Sequence, residues 1–321
     1  MTNNFDNEGD MTARLYRSLQ LVRRAEEVIA DIYPSDKIKS PVHLSIGQEA
    51  VAVGICDALR ADDVVSGTYR SHASYIAKGG DLNAMFAELY GKATGCAGGK
   101  AGSMHLIDMG NNVMGSSAVV GTTVPIALGY ALAIKRRQED RIVVTFFGDG
   151  ATEEGVFHES LNFAALKQLP VLFVCENNQY AIHQPLAKRW ATDRICERVE
   201  TYDIPTARFP DSNVESIRNH AHDAIKGIRA GGGPSFMECV TYRWREHVGP
   251  GEDYDAGYRR QSDLKNWRDK DEVARLGNAL DDGMRARIDA EVELEIAAAV
   301  DFAEQSPFPP IEELHSHVVA D

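Results

Sequence analysis

The stretch from Arg141 to Tyr180 constrains this chain most, because it reads as strand, turn, helix and strand with a polar residue at each strand's carboxyl end. Arg141 to Phe147 (RIVVTFF) is a short apolar run rich in β-branched residues, the pattern of a strand buried on both faces of a parallel sheet. Gly148-Asp149-Gly150 ends it. From Ala151 to Leu169 the apolar positions Val156, Phe157, Leu161, Ala164, Ala165 and Leu169 fall three or four apart, which predicts a helix with one buried face, stopped by Pro170. Val171 to Cys175 predicts a second buried strand, which runs into Glu176-Asn177-Asn178-Gln179-Tyr180. Such a unit crosses over right-handed in about 98% of cases, so both strand ends open on one sheet edge and Asp149 and Asn178 become near neighbours.

Neighbouring strands lie roughly 4.8 Å apart, which lets a carboxylate and an amide oxygen share a hard cation. Oxygen-only donors suit magnesium or calcium. A helix beginning just after Asp149 offers free N–H groups and a positive dipole end, while Gly148 and Gly150 let a phosphate approach the backbone. The pattern predicts a metal diphosphate site. Each short motif alone also reads as a turn, Gly-Asp-Gly with an Asp helix cap and Asn-Asn as a strand end.

The string GDGATEEGVFHESLNFAALKQLPVLFVCENNQYA resembles the thiamine diphosphate fingerprint, a GDG followed by a double Asn about 29 residues past the Asp. More narrowly, it resembles the alpha subunit of the decarboxylating first component of 2-oxo acid dehydrogenase complexes, the group that includes pyruvate, branched-chain and acetoin dehydrogenases. The resemblance implies the thiamine diphosphate-binding α/β fold, a mostly parallel sheet with helices on both faces. It also implies magnesium held by Asp149, the Asn178 side chain and the Tyr180 carbonyl, with Gly148, Gly150 and Ala151 beside the cofactor.

Length and charge narrow the class. At 321 residues and 44% hydrophobic content the chain buries a sizeable core, and we read residues 1–321 as a single α/β domain with a helical N-terminal segment (about 10–32) and a helical C-terminal extension (about 263–321). A net charge of −14 argues against nucleic-acid or anionic-membrane partners, which call for a basic face. Five dispersed cysteines without a C-x-x-C indicate a reducing compartment, and the polar, acidic start MTNNFDNEGD lacks the features of a secretory or mitochondrial leader. A cytoplasmic location is expected. The apolar part of the longest uncharged run, Ala118 to Ile134, carries Thr, Gly and Pro and falls short of the roughly 20 residues of a membrane span.

Taken in order, Asp10 to Ile32 predicts a helix with Leu15, Leu19, Val22, Ala25, Val28, Ile29 and Ile32 inward and basic residues outward. Ser45 and Gln48 fit a capping box for a helix reaching Leu59. A lone His before a helix is ordinarily structural. HLSIGQEA, however, resembles the family's H-L-x-x-G-Q-E-A segment, which implies that His43 acts on substrate. Asp63 to Gly67 predicts a short strand with Thr68-Tyr69-Arg70-Ser71-His72 at its carboxyl end, where open α/β sheets bind ligands. Arg70 suits a diphosphate through its planar fork, and also reads as a solvated residue opening the next helix. The family's Y-R-x-H pattern implies cofactor contact by Tyr69 and Arg70.

Gly95 to His105 (GCAGGKAGSMH) invites a phosphate-loop reading, but Thr94 and Ala101 stand where that loop requires Gly and a hydroxyl residue. The stretch resembles the family's G-G-x-x-G-S-M-H loop, and with Asp108 to Ser117 it predicts a long Gly-rich segment bordering the site, His105 at its entrance. A helix is expected from about Pro125 to Arg137, with Gly129 and Ala133 permitting close approach of another helix. By resemblance the backbone at Ala118 and Val120 holds the cofactor's aminopyrimidine, and this helix packs on a partner subunit.

Beyond Tyr180 the chain departs from the family, with Gln184-Pro185 for Thr-Pro and Phe209-Pro210-Asp211-Ser212-Asn213 for a V-D-G-N-D turn. Ser212 and Glu215 read as a capping box for a helix to Arg229, closed by Gly231 to Gly233. Ser235 to Tyr242 predicts the last strand, and Tyr242 to His247 resembles the family's Y-R-x-x-G-H, which implies a second active-site base at His247. Glu246 stands for Gly there, and Val248 to Asp253 replace a Ser-rich loop that engages the lipoyl domain. Leu264 to Gln305 reads as helical scaffold with Ile288, Val292, Ile296, Ala299 and Ala303 on one stripe, and His315 and His317 as a solvated tail in preference to a metal pair.

The resemblance implies a dehydrogenase subunit that decarboxylates a 2-oxo acid or cleaves acetoin and passes the acyl unit to lipoamide. It further implies a separate beta subunit that supplies the activating Glu, an α2β2 heterotetramer and a lipoyl acyltransferase partner. Two other readings stand beside it: a thiamine-dependent transferase forming acyloins with an aldehyde or ketone acceptor, and a non-catalytic homologue, against which the joint presence of His43, Asp149, Asn178 and His247 weighs.

Overall fold

The computed structural model describes residues 8–316, and His317 and the first seven residues lie outside this range. In chain order the helices and strands are α1 (Glu8–Ile32), α2 (Glu49–Asp57), β1 (Val64–Thr68), α3 (His72–Ala77), α4 (Leu82–Leu89), β2 (Val113–Ser117), α5 (Thr123–Arg136), β3 (Val143–Gly148), α6 (Gly155–Lys167), β4 (Val171–Asn177), β5 (Tyr180–Ala181), β6 (Gln184–Pro185), α7 (Ile195–Glu200), β7 (Thr206–Phe209), α8 (Val214–Gly227), β8 (Ser235–Val240), α9 (Gln261–Arg268), α10 (Glu272–Ala279) and α11 (Asp282–Gln305). Six strands form one sheet in the order β2-β1-β3-β4-β8-β7, every pair parallel, while β5 and β6 make a separate small antiparallel ribbon.

The expected parallel α/β sheet is present, and its central strands are the ones the apolar runs predicted. β3 and β4 are buried along nearly their whole length because helices cover both faces. One face carries α5 and α6, whose Val124, Ala127, Leu128, Phe157, Leu161 and Ala164 pack on Phe147, Phe173 and Phe236. The other carries α2 and α8, whose Val51, Ile55, Ile217, Ala221 and Ile225 pack on Phe146, Leu172, Val174 and Met237. A third cluster joins α1, α4 and α11, and the predicted stripe Ile288, Val292, Ile296, Ala299 and Ala303 is buried in it. Among the described residues no helix is long and apolar enough to cross a membrane.

Several local expectations are corrected. The helix expected directly after Asp149 is a 3-10 turn over Asp149–Glu153, broken by extended Glu154, and α6 starts only at Gly155. Neither capping box forms. Gln48 caps α2 without a side-chain bond, and Ser45 contributes its N–H to the Glu26 carboxylate instead. Asn213, not Ser212, caps α8, while the Ser212 hydroxyl donates to the Val240 carbonyl. Arg23, expected on the outer face of α1, is buried between Glu49 and Asp271. β2 and β7 lie in stretches read as loop and turn. Both are edge strands, where one neighbour and partial exposure leave a weak hydrophobic pattern.

Candidate functional site

The strand order places the topological switch between β1 and β3, since the chain leaves β1 for β2 on one side and returns to β3 on the other. Open α/β sheets bind ligands in the crevice at the carboxyl ends of such strands. A cleft of about 280 Å³ lies at this point. Its wall takes Thr68, Tyr69 and Arg70 from the end of β1, Gly148 to Ala151 from β3, and Glu176, Asn178 and Tyr180 from β4.

The register explains the convergence. Gly148 pairs with Glu176, so Asp149 and the double Asn emerge from adjacent strand ends on one edge. The two asparagines then part. Asn177 turns under the sheet, donating from Nδ2 to Glu238 Oε1 at 2.7 Å, and Asn178 faces the cleft. Asn178 Nδ2 donates to Gln48 Oε1 and its Oδ1 accepts the Tyr180 N–H at 3.1 Å, which leaves that oxygen a free lone pair. Asp149 is buried, and burial pushes its carboxyl up to about 6 against the pull of Arg189, which ion-pairs with both Asp149 and Glu153.

The glycines divide their roles. A side chain added at Gly148 would meet nothing, so open space lies against its backbone, whereas one at Gly150 would come within 3.0 Å of Ala181 Cβ. Gly148 keeps the approach to the cleft clear, and Gly150 lets the loop after β4 close on the turn.

Three rings gather at the cleft, Tyr69 and His247 on its wall and buried His43 packed against both without lining it. His43 lies 4.5 Å from Tyr69 and 5.2 Å from His247 between ring centroids, and Tyr69 lies 5.7 Å from His247. Burial, with the neighbouring Arg70 charge, holds both imidazoles down to about 3, so both are neutral across the physiological range. His43 Nδ1 is buried without a partner. Arg70 Nη2 faces His247 Nδ1 at 3.4 Å, and because an arginine N–H only donates, the His247 proton sits on Nε2. Arg70 also donates to the carbonyls of Leu44 at 2.6 Å and His247 at 3.0 Å. Much of its fork therefore ties the two histidine segments together.

The remaining expected residues are spread more widely. Val120 lines the cleft, while Ala118, half-buried just after β2, does not. His105 is exposed and off the cleft wall. The Gly-rich loop around it closes on the chain's own carboxylate: Glu88, fully buried, accepts N–H groups from Ala97, Gly99, Ala101 and Gly102. That nest has the form of an anion site, which is why the segment imitates a phosphate loop in sequence. His72 anchors it further, bonding Ser103 Oγ at 2.8 Å.

Reading motifs missed Gln48, Thr68, Glu176 and Arg189. Gln48 was absorbed into a helix cap, and nothing in the spacing of Arg189 announces that it folds back onto Asp149. Glu176, inside the motif, is buried with its carboxyl pushed up to about 8.

Among the described residues no three His, Cys, Asp or Glu side chains converge as a self-sufficient metal site. Among the oxygens at the cleft, those of the Asp149 carboxylate, the Asn178 amide and the backbone of the following loop make a set that would fit magnesium completed by phosphate and water. The fold and cleft define an open-sheet α/β protein of the ligand-binding class, with its cleft at the β1/β3 switch. The comparisons with known proteins agree: the model of the dehydrogenase E1 component family matches residues 17–312, and the chain belongs to that family. It is 38% identical over 309 residues to the alpha subunit of acetoin:2,6-dichlorophenolindophenol oxidoreductase of Bacillus subtilis, covering 95% of this chain and 92% of that one. It is also 35% identical over 322 residues to the pyruvate dehydrogenase E1 component subunit alpha of Porphyra purpurea, covering 96% and 92%. The corresponding acetoin subunit of Cupriavidus necator is 37% identical over 311 residues, covering 95% and 92%.

Proposed function

We propose that this chain is the alpha subunit of a thiamine diphosphate-dependent dehydrogenase acting on a pyruvate-like 2-oxo acid or acetoin, with lipoamide as acyl acceptor. The convergence of Asp149, Asn178 and His247 on one cleft, with the His43 ring packed against His247 and Tyr69 beside it, carries this reading. Asp149, the Asn178 side chain and the Tyr180 carbonyl hold magnesium. Tyr69, Arg70, Ala118, Val120, Gly148, Gly150 and Ala151 contact the cofactor. When bound, thiamine diphosphate supplies the electron sink for cleaving the bond beside the donor's carbonyl. His43 and His247, neutral and partly desolvated, hold and move protons at their free ring nitrogens and orient the donor.

Activity requires a separate beta subunit, in an α2β2 assembly served by a lipoyl acyltransferase. The open face of α5 supports such docking: Ile126 is exposed, and a side chain added at Gly129 would meet nothing in this chain. Five free cysteines support a reducing, cytoplasmic setting, and residues 1–321 act as one domain. The similarity to acetoin and pyruvate dehydrogenase subunits favours the oxidoreductase over the acyloin-forming transferase. The test is reconstitution with the companion subunit and a panel of 2-oxo acids and acetoin, read with an artificial electron acceptor and then with lipoamide. Turnover by this chain alone overturns the two-subunit reading, and acyloin without acyl-lipoamide overturns the acceptor.

A further inference from the structure

The seat assigned to the cation is shared with one of the protein's own charges. Arg189 follows a 3-10 turn, Leu186–Lys188, and its guanidinium, only 7% exposed, reaches back to Asp149 and Glu153, two residues of the cleft wall. Nη2 pairs with Asp149 Oδ2 and Nη1 with Glu153 Oε1. The root of the side chain is fixed separately, Nε donating to the Gln184 carbonyl at 3.0 Å and the backbone N–H to the Leu186 carbonyl at 2.9 Å. A buried carboxylate such as Asp149 is costly without a partner cation. A guanidinium bonded to its oxygen and a divalent cation on the same carboxylate repel one another, so the two compete for it.

We propose that Arg189 is the resident counter-ion of the cation seat, and that a divalent cation enters by displacing it from Asp149 and Glu153. The inference rests on reading Asp149 as a cation ligand. Arg189 keeps the carboxylate paired and the loop after β4 drawn against the 3-10 turn over Asp149–Glu153 until the cation arrives. The pair faces the cleft that the cation must enter, since Asp149 and Glu153 both line it and Glu153 is one-third exposed. Exchange then needs rotation about the aliphatic bonds of the Arg189 side chain, which swings the whole planar fork and frees Nε from Gln184, while the backbone N–H stays tied to Leu186.

The experiment titrates Mn2+ alone, without thiamine diphosphate, into the full chain assembled with its companion subunit, and reads free Mn2+ by electron paramagnetic resonance. A site closed by an internal competitor shows an apparent affinity reduced by the fraction of open sites, so Arg189→Ala and Arg189→Met are expected to bind Mn2+ about tenfold more tightly than the wild type. Arg189→Lys, which retains the charge, is expected to stay near the wild type. Unchanged or weaker Mn2+ binding by correctly folded Arg189→Ala and Arg189→Met overturns the exchange, and if Asp149→Asn abolishes Mn2+ binding in the same series, the cation-site reading stands without it. If neither the wild type nor any Arg189 variant takes up Mn2+, the cation-site reading falls and the exchange falls with it.

Discussion

Asn178 donates from Nδ2 to Oε1 of Gln48 across 3.0 Å, and this bond fixes which way the amide presents its oxygen. A ligand oriented by an outer partner binds its metal more tightly, and losing such a partner typically costs about 10- to 100-fold in metal affinity. Gln48→Ala is therefore expected to weaken magnesium-dependent uptake of thiamine diphosphate by about that factor with the fold intact. Isothermal titration calorimetry on the assembled subunits checks it, and affinity equal to the wild type would show that Asn178 is oriented by its own loop.

His43 and His247 stand together but present different nitrogens, His43 an unpartnered Nδ1 and His247 its Nε2, so on the proposed reading each enters the chemistry separately. Each single alanine variant is expected to lower turnover by about 10² to 10⁴, the usual range for a positioned acid or base. Cofactor affinity should change far less. Steady-state kinetics beside calorimetry separates the two, and a variant losing cofactor binding in proportion to rate would place its His in binding alone.

The depressed imidazoles also make stability depend on pH. Burial holds His43 and His247 to about 3, whereas an unfolded imidazole titrates near 6.5, so between those values the unfolded chain takes protons that the native chain refuses. Their contribution falls as pH falls through that window. Glu176 acts in the opposite sense: its folded carboxyl is raised to about 8, so its contribution is lost as pH rises from 4.5 towards 8. Urea denaturation of the wild type and of a His43→Gln, His247→Gln double variant is expected to give a smaller loss of stability for the variant between about pH 7 and pH 4. Parallel curves for the two proteins would contradict the burial of the imidazoles.

Glu88 is the structural keystone of the Gly-rich loop. Its carboxylate satisfies four backbone N–H groups with no solvent exposure, and hydrogen bonds to a charged group contribute about 1.5 to 3 kcal/mol each at most. Glu88→Ala is expected to cost about 3 kcal/mol, the loop regaining part of the loss by hydrating its N–H groups. Chemical denaturation measures the cost, and limited proteolysis should show new cleavage between Gly95 and Gly102.

How much of the fold is legible along the chain depends on where the physics is local. β3, α6, β4 and the α11 stripe were legible because a continuously buried strand or a one-sided helix prints its period directly into the residues. The edge strands β2 and β7 were not, because half-covered strands need no such pattern. Capping boxes at Ser45 and Ser212 failed for a related reason. A hydroxyl and an amide at the right spacing can cap a helix, but nearby acceptors and donors compete better than the helix end, Val240 for Ser212 and Asn178 for Gln48.

The sequence alone determined the alternation of strand and helix, the turn that ends β3 at Asp149 and the double Asn that ends β4, because these depend on neighbours a few residues away. Only the tertiary structure decided that Arg189 pairs with Asp149, that Glu88 fills the nest of the Gly-rich loop, and that His43 meets His247 from a distant part of the chain. Those pairings arise from burial and charge balance between segments brought together by the sheet, and no spacing along the chain encodes them.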